Sequence, residues 1–153
     1  MIVRENHQRF YDWINEKIGT NYTPEMCQVI SIVSDHSAEI KAVLVFYDWV
    51  QSERRLSMSF ATDSKKNWAN VAYAEAWLEY VFNVLNVNRL QFYSADPEAQ
   101  TLGKQIGFEF EASLQDWFGP DKPAGIYVLL RSRLAKTKLM ESTMFILNDT
   151  GGV

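Results

Sequence analysis

The order of strand-like and helix-like segments constrains this chain more than any single motif does. Three segments with the composition of β-strands, Gln28–Ser34, Ile40–Val50 and Arg55–Thr62, follow one another without a helical pattern between them. A strong helical pattern over Val71–Val84 then precedes a short strand at Arg89–Ala95. Consecutive strands favour antiparallel pairing, whereas a strand–helix–strand run requires a parallel crossover. The chain is therefore predicted to form a mixed sheet with flanking helices.

The remaining segments complete the predicted order of elements. Apolar residues at helical spacing predict a first helix over Glu5–Ile18. Asp at an N-cap position and Pro in the first turn predict another helix from Asp96 to Ile106, which Gly107 ends. Two further strands are predicted over Phe108–Ala112 and Ile126–Leu130.

The length and composition are those of one globular domain. The chain has 153 residues, of which 47% are hydrophobic and 22% charged, and it contains no internal repeat or Gly/Ser linker. A single domain is therefore predicted over residues 1–153. Residues 134–153 form an apolar tail that could be an added strand, a dimer arm or a packed lid.

Charge and cysteine content narrow the function classes. A formal net charge of −4 argues against a protein whose affinity comes from neutralising nucleic-acid phosphates. Cys27 stands alone and shares no metal-ligand spacing with His7 or His36, so we expect neither a disulfide nor a metal site. A cytoplasmic location is expected, because Arg4 and Glu5 interrupt any apolar leader and no apolar stretch is long enough to span a membrane.

One stretch resembles a known family. In the segment 96–108, Ala99, Leu102, Gly107 and Phe108 have the spacing found in the Gcn5-related N-acetyltransferase (GNAT) family, where a helix ends at a Gly-Phe corner. Asp96 stands where that family usually has Asn. The segments 87–90 and 125–131 also resemble the family's lead into the preceding strand and its last strand. The resemblance is nearest to the ribosomal-protein and small-amine acetyltransferase branch.

The resemblance implies a fold and a co-substrate. The expected fold is an α/β, mostly antiparallel mixed sheet with a central parallel strand pair. Acetyl-CoA is the implied co-substrate, although Val71 replaces a glycine of the family's acyl-CoA loop, which is therefore degenerate. Simpler roles remain open: Lys66 could be a solvated surface lysine, and capping the helix could be the sole role of Asp96. The implied cofactor-binding residues are Phe60, Ala61, Thr62, Lys66, Ala69, Asn70, Val71, Ala72 and Asp96.

The catalytic groups implied by the resemblance are incomplete. Many GNAT enzymes protonate the departing thiolate with a Tyr, but the matching position here is Gly103, which carries no acid. Asp48 is the candidate base, and Tyr93 and Ser94 are candidates to hold a water or act as the acid. Each of these three could equally be a polar residue on a strand face. The implied mechanism requires no metal.

Three functions are compatible with these patterns. The leading hypothesis is an acetyl-CoA-dependent N-acetyltransferase acting on an amine of a small molecule or a polypeptide. The alternatives are a catalytically degenerate binding module and a GNAT-derived enzyme that modifies nucleic acid. The acceptor groove could be open or completed by a second subunit in a homodimer, and the loop 116–118 could line it.

Overall fold

The computed structural model describes residues 1–63 and 71–136. The strands in this part of the chain are β1 (Ile2–Val3), β2 (Gln28–Val33), β3 (Ile40–Val50), β4 (Arg55–Thr62), β5 (Arg89–Ser94), β6 (Glu109–Leu114) and β7 (Ala124–Leu130). The helices are α1 (Gln8–Ile18), α2 (Val71–Glu79), α3 (Pro97–Ile106) and a 3₁₀-helix over Arg131–Lys136. Helix α2 continues as a π-helical turn over Tyr80–Val84.

The described strands form one sheet in the order β1-β2-β3-β4-β5-β7-β6. Strands β1 to β4 form an antiparallel meander, and β7 lies between β5 and β6 and is antiparallel to both. Strands β4 and β5 pair in parallel across the α2 connection. This arrangement confirms the prediction of a mostly antiparallel mixed sheet with a central parallel pair.

Most element boundaries lie within three residues of the predicted ones: α1 starts at Gln8 rather than Glu5, and β7 starts at Ala124 rather than Ile126. Strand β1 was not predicted, because two residues are too few to show alternation; it pairs with β2 through Ile2↔Ile32. Strand β6 runs on to Leu114, beyond its predicted end at Ala112, and a register shift interrupts its pairing with β7. Of the predicted tail 134–153, residues 134–136 end the 3₁₀-helix, and the rest lies outside the described residues. No helix in residues 1–63 and 71–136 is both long and apolar enough to cross a bilayer.

Helices cover both faces of the sheet, and the inner strands therefore bury side chains on both sides. Helices α2 and α3 cover one face, where Trp77, Phe82 and Phe92 belong to the larger apolar cluster. Helix α1 covers the other face with Phe10 and Ile14. Successive residues of a strand point to opposite faces, so Phe60 of β4 packs against the larger cluster and its neighbour Ala61 belongs to the smaller one.

Candidate active site

A gap opens in the middle of the sheet where β4 and β5 diverge. Their parallel pairing covers three residue pairs and ends at Ser57↔Gln91. Strand β4 continues beside β3 to Thr62, and β5 continues beside β7 to Ser94. At about 3.3 Å per residue, β4 runs roughly 16 Å beyond the last pair. Each strand keeps its outer neighbour, so the divergence makes an opening through the sheet.

Two adjoining cavities occupy this opening. The larger has a volume of about 460 Å³ and the smaller about 310 Å³. They share Ile18 of α1, Phe60 of β4, and Asp96 and Ala99 at the start of α3. The two cavities therefore lie side by side, and together we call them the β4–β5 cleft.

The cleft brings together the predicted site residues that the structure describes in full. Those lining the larger cavity are Asp48, Phe60, Tyr93, Ser94 and Asp96. The smaller cavity adds Ala61 and Thr62. Three predicted acyl-CoA loop residues lie outside the described residues: Lys66, Ala69 and Asn70. Val71 and Ala72 are the first residues of α2.

Alternation along the strands gives the cleft two chemically different sides. Met58, Phe60 and Phe92 belong to the apolar cluster under α2 and α3. Ser59 and Tyr93, one residue further along their strands, carry hydroxyl groups and lie on the α1 side. The cleft therefore passes through the sheet from an apolar side to a hydroxyl-rich side.

The hydroxyl-rich side contains a cluster of Tyr22, Tyr47 and Ser59. The Tyr22 hydroxyl lies 2.6 Å from Ser59 Oγ, and the rings of Tyr22 and Tyr47 have centroids 5.2 Å apart. Burial raises the pKa of Tyr47 well above its usual range, and the neighbouring Tyr22 hydroxyl raises it further. Tyr47 therefore keeps its proton at any pH near neutrality.

A chain of polar side chains orients Tyr93. Gln91 Nε2 donates to the Tyr93 hydroxyl oxygen at 2.9 Å and to Ser57 Oγ at 3.2 Å. Arg89 Nε donates to Gln91 Oε1 at 2.8 Å, and the same guanidinium is paired with Glu111. Since the Tyr93 oxygen accepts from Gln91, the phenol's own proton is available to donate into the cleft.

The loop between β6 and β7 closes one wall of the larger cavity. The ring of Trp117 stacks on that of Tyr93 with centroids 4.6 Å apart, and Phe118 lies beside it. Half of the surface of each of these two loop side chains is exposed. Trp117 and Phe118 of the loop 116–118 therefore line the larger cavity, and their role in an acceptor groove stays a prediction.

Asp48 occupies an irregular position at the end of the β3–β4 pairing. The register shifts between Tyr47 and Val50, and Asp48 has a φ of 52°, in the left-handed region. A left-handed residue at a register shift turns the strand locally and changes where the next side chains point. The exposed Asp48 side chain lines the larger cavity.

Ser94 and Asp96 form the turn that joins β5 to α3. The Asp96 backbone N–H donates to Ser94 Oγ at 3.0 Å, and Asp96 Oδ1 accepts from the Glu98 N–H at 2.9 Å. The predicted N-cap role of Asp96 is therefore confirmed. Both residues also line the cleft. Contacts of either residue with a substrate stay predictions.

Gly103 is where close packing excludes any side chain. An added Cβ would lie 2.5 Å from Phe92 Cζ and 2.8 Å from Cε1. The Phe92 ring cannot swing aside easily, because it lies edge-on to Phe60 and Phe108 and stacks on Tyr127. The space that an acid at position 103 would need is therefore filled by an aromatic ring.

Gly103→Ala is expected to lower the free energy of unfolding by about 1–3 kcal/mol, because the methyl group overpacks the buried Phe92 ring. Chemical denaturation of the variant and the parent measures the difference. Thr101→Ala, at an exposed position of the same helix, is the matched control and is expected to change stability by less than about 1 kcal/mol. A Gly103→Ala variant as stable as the parent would show that Phe92 can move away.

The sequence patterns missed several residues of the cleft. Tyr22 lies in the loop between α1 and β2, where no periodicity indicates which way a side chain points. Tyr47 directly precedes Asp48 in a predicted strand, where no pattern distinguishes it from other aromatic residues of a strand. Because both reach the cleft through the pairing of β3 with β4 and the docking of α1, no local signal could have identified them.

Comparison with known proteins identifies the fold. No protein-family model and no curated protein matches the chain. Among solved structures, the chain is similar to mutant forms of the spermidine/spermine N-acetyltransferase SpeG from Vibrio cholerae, with a TM-score of 0.72 and 14% identity over 90% of this chain and 99% of that one.

Two other solved structures agree. The ribosomal-protein-S5-alanine acetyltransferase from Vibrio fischeri gives a TM-score of 0.67 at 8% identity, over 84% of this chain and 91% of that one. A dodecameric structure of spermidine N-acetyltransferase from Vibrio cholerae gives a TM-score of 0.61 at 18% identity, over 80% of this chain and 72% of that one. With its mixed sheet and central diverging pair, the chain shares the fold of these N-acetyltransferase structures.

Proposed function

We propose that this protein is an acetyl-CoA-dependent N-acetyltransferase that transfers acetyl to an amine. The observation that carries the proposal is the β4–β5 cleft, which joins an apolar side and a hydroxyl-rich side through the sheet. Such an opening lets a thioester and an amine approach one another from opposite faces. The N-acetyltransferases of the same fold support the assignment at the level of the reaction.

The donor is proposed to lie along β4 and the start of α3. Peptide groups of a strand point alternately toward its two neighbours, so Phe60–Thr62 presents backbone groups toward the cleft as well as toward β3. Backbone N–H groups in such a position stabilise the negative charge that develops on a thioester oxygen under attack. Ala61, Thr62 and Ala99 are small enough to leave room for an extended chain in the smaller cavity.

The acceptor is proposed to enter from the α1 side, past Tyr22 and Tyr47. Its neutral nitrogen attacks the thioester carbon, the C–N bond forms, and the C–S bond breaks. Tyr93 gives its proton to the departing sulfur and regains one from the nitrogen of the new amide, so the protons balance. Tyr93 thereby acts as the general acid, a role that Gly103 cannot have because it carries no side chain. Ser94 remains a candidate to hold a water beside it.

The acceptor could be a small amine or a polypeptide terminus. The Vibrio cholerae neighbour is named for spermidine and spermine, and the Vibrio fischeri neighbour for an alanine of ribosomal protein S5. Both names describe transfer to an amine. A second subunit is proposed as a further source of acceptor contacts, since one of the neighbouring proteins is described as dodecameric.

Saturating acetyl-CoA is expected to raise the melting temperature by roughly 5–10 °C. Binding at a hundred times Kd adds about 2.7 kcal/mol of stability, and each kcal/mol shifts a domain of this size by about 2–4 °C. Differential scanning fluorimetry with and without acetyl-CoA measures this shift.

A matched pair of variants locates the binding. Ala99→Trp fills the cleft and is expected to abolish the shift, whereas Gln105→Trp, at an exposed position of the same helix, is expected to keep it. No shift in the parent at millimolar acetyl-CoA would favour the non-catalytic binding module instead.

A further inference from the structure

Aromatic side chains form the walls of the cleft on the α1 side. Tyr22 and Tyr47 lie against one another at 34°, and Tyr93 and Trp117 stack at 21°. All four line the larger cavity. Aromatic faces carry a partial negative charge, so a pocket walled by several of them attracts a positively charged group.

The charges around the larger cavity have one sign. Its described lining contains two carboxylates, Asp48 and Asp96, and no Lys, Arg or His. Asp96 Oδ1 is engaged in capping α3. A ligand group with a negative charge would meet these carboxylates with no cation in the described lining of the larger cavity, since Lys17 lines only the smaller one. An acceptor carrying a carboxylate or phosphate is therefore disfavoured.

Asp48 stands at the aromatic end of the cavity. It occupies the register shift directly after Tyr47, about opposite Leu56, whereas the proposed donor segment begins four residues further along β4 at Phe60. At 3.3 Å per residue, Asp48 therefore lies roughly 13 Å along the strand from the start of that segment. A cation bound by Asp48 is thus separated from the reacting thioester.

We propose that the acceptor carries a second, protonated amine, which the aromatic walls and Asp48 bind while another nitrogen of the same molecule is acetylated. The inference rests on the proposed function. The reacting nitrogen must be neutral when it attacks, so it gains nothing from cation-binding walls at that moment. A group that stays protonated throughout keeps that stabilisation. An aliphatic diamine or longer polyamine has this chemistry.

Three amines of equal chain length test this specificity: putrescine with a second ammonium, n-butylamine with a methyl group in its place, and γ-aminobutyrate with a carboxylate. We expect kcat/KM to be roughly 10- to 100-fold higher for putrescine than for n-butylamine, and lowest for γ-aminobutyrate. Thiol release from acetyl-CoA measures all three. Equal values for putrescine and n-butylamine would overturn the proposal.

Asp48→Asn distinguishes ammonium binding from a role as base. Asn tolerates the left-handed backbone at this position, so the variant should keep the fold. If Asp48 binds the second cation, the putrescine to n-butylamine ratio falls toward one. If Asp48 were the base, both substrates would lose the same factor and the ratio would persist, against the proposal. Asp12→Asn removes a charge from the exposed surface of α1 and should preserve the ratio.

Binding alone separates failure of this inference from failure of the proposed function. Trp117 stacks on the wall of the cavity, so putrescine should change its fluorescence, and Trp117→Phe should remove the change. If no amine is acetylated but putrescine binds more tightly than n-butylamine, the transferase assignment fails while the cation site stands. If acetylation occurs and putrescine binding matches that of n-butylamine, the cation site fails alone.

Discussion

Tyr93→Phe is expected to lower kcat by roughly 100- to 10,000-fold, the usual range for loss of a positioned acid or base. The substitution removes the hydroxyl but keeps the ring that stacks on Trp117, so the shape of the cavity is retained. Gln91 Nε2 loses one acceptor and keeps Ser57 Oγ. Acetyl-CoA binding, measured by thermal shift, should change little, because the substitution impairs proton transfer and not binding.

Tyr80→Phe is the control for this result. Tyr80 lies in the π-helical turn, outside the cavities of the cleft, where the Arg4 guanidinium lies over its ring. Its loss of a hydroxyl should leave kcat within about twofold of the parent. A Tyr93→Phe enzyme as active as Tyr80→Phe would remove Tyr93 from the mechanism and leave the departing thiolate to be protonated by water.

Phe92→Ala is expected to lower the free energy of unfolding by about 3–5 kcal/mol, which is the typical cost of removing a buried Phe side chain. The ring is 2% exposed and contacts Phe60, Phe108 and Tyr127, with centroids 5.0–5.3 Å apart. Native domains are stable by about 5–15 kcal/mol, so this loss is a large part of the total. Urea denaturation measures it.

Phe110→Ala removes the same side chain from a half-exposed position. Phe110 lies edge-on to Tyr127 and is 54% exposed, so the expected loss is below about 1.5 kcal/mol. Similar losses for the two variants would mean that Phe92 is not the centre of the aromatic cluster. Packing against Phe92 would then no longer explain why position 103 is a glycine.

The strands and helices were predictable because their signals are local. Alternation in Arg55–Thr62, helical spacing before Val84, and the Asp-Pro start of α3 each depend on neighbours in sequence. The mixed topology followed from their order, since a helix between β4 and β5 requires a parallel crossover. The β4–β5 pair shows that this inference was correct.

The cleft itself was accessible only through resemblance to the GNAT family. The pairing of β4 with β5 ends at Ser57↔Gln91, and nothing in either strand's own pattern marks that end. Gly103 could be recognised as lacking an acid, but only the packing shows that Phe92 fills the space beside it. Tyr22 reaches Ser59 across 37 positions of sequence, a contact that no short-range pattern reports.

Amide chemical shifts measured during an acetyl-CoA titration give the most direct test of the β4–β5 cleft as a thioester site. We expect the largest changes at Phe60, Ala61, Thr62 and Asp96, with Ile30 in β2 nearly unchanged. The assignment would be contradicted if saturating acetyl-CoA left the amide chemical shifts of the cleft residues unchanged. It would also be contradicted if only residues remote from the cleft, such as Met26, changed their shifts.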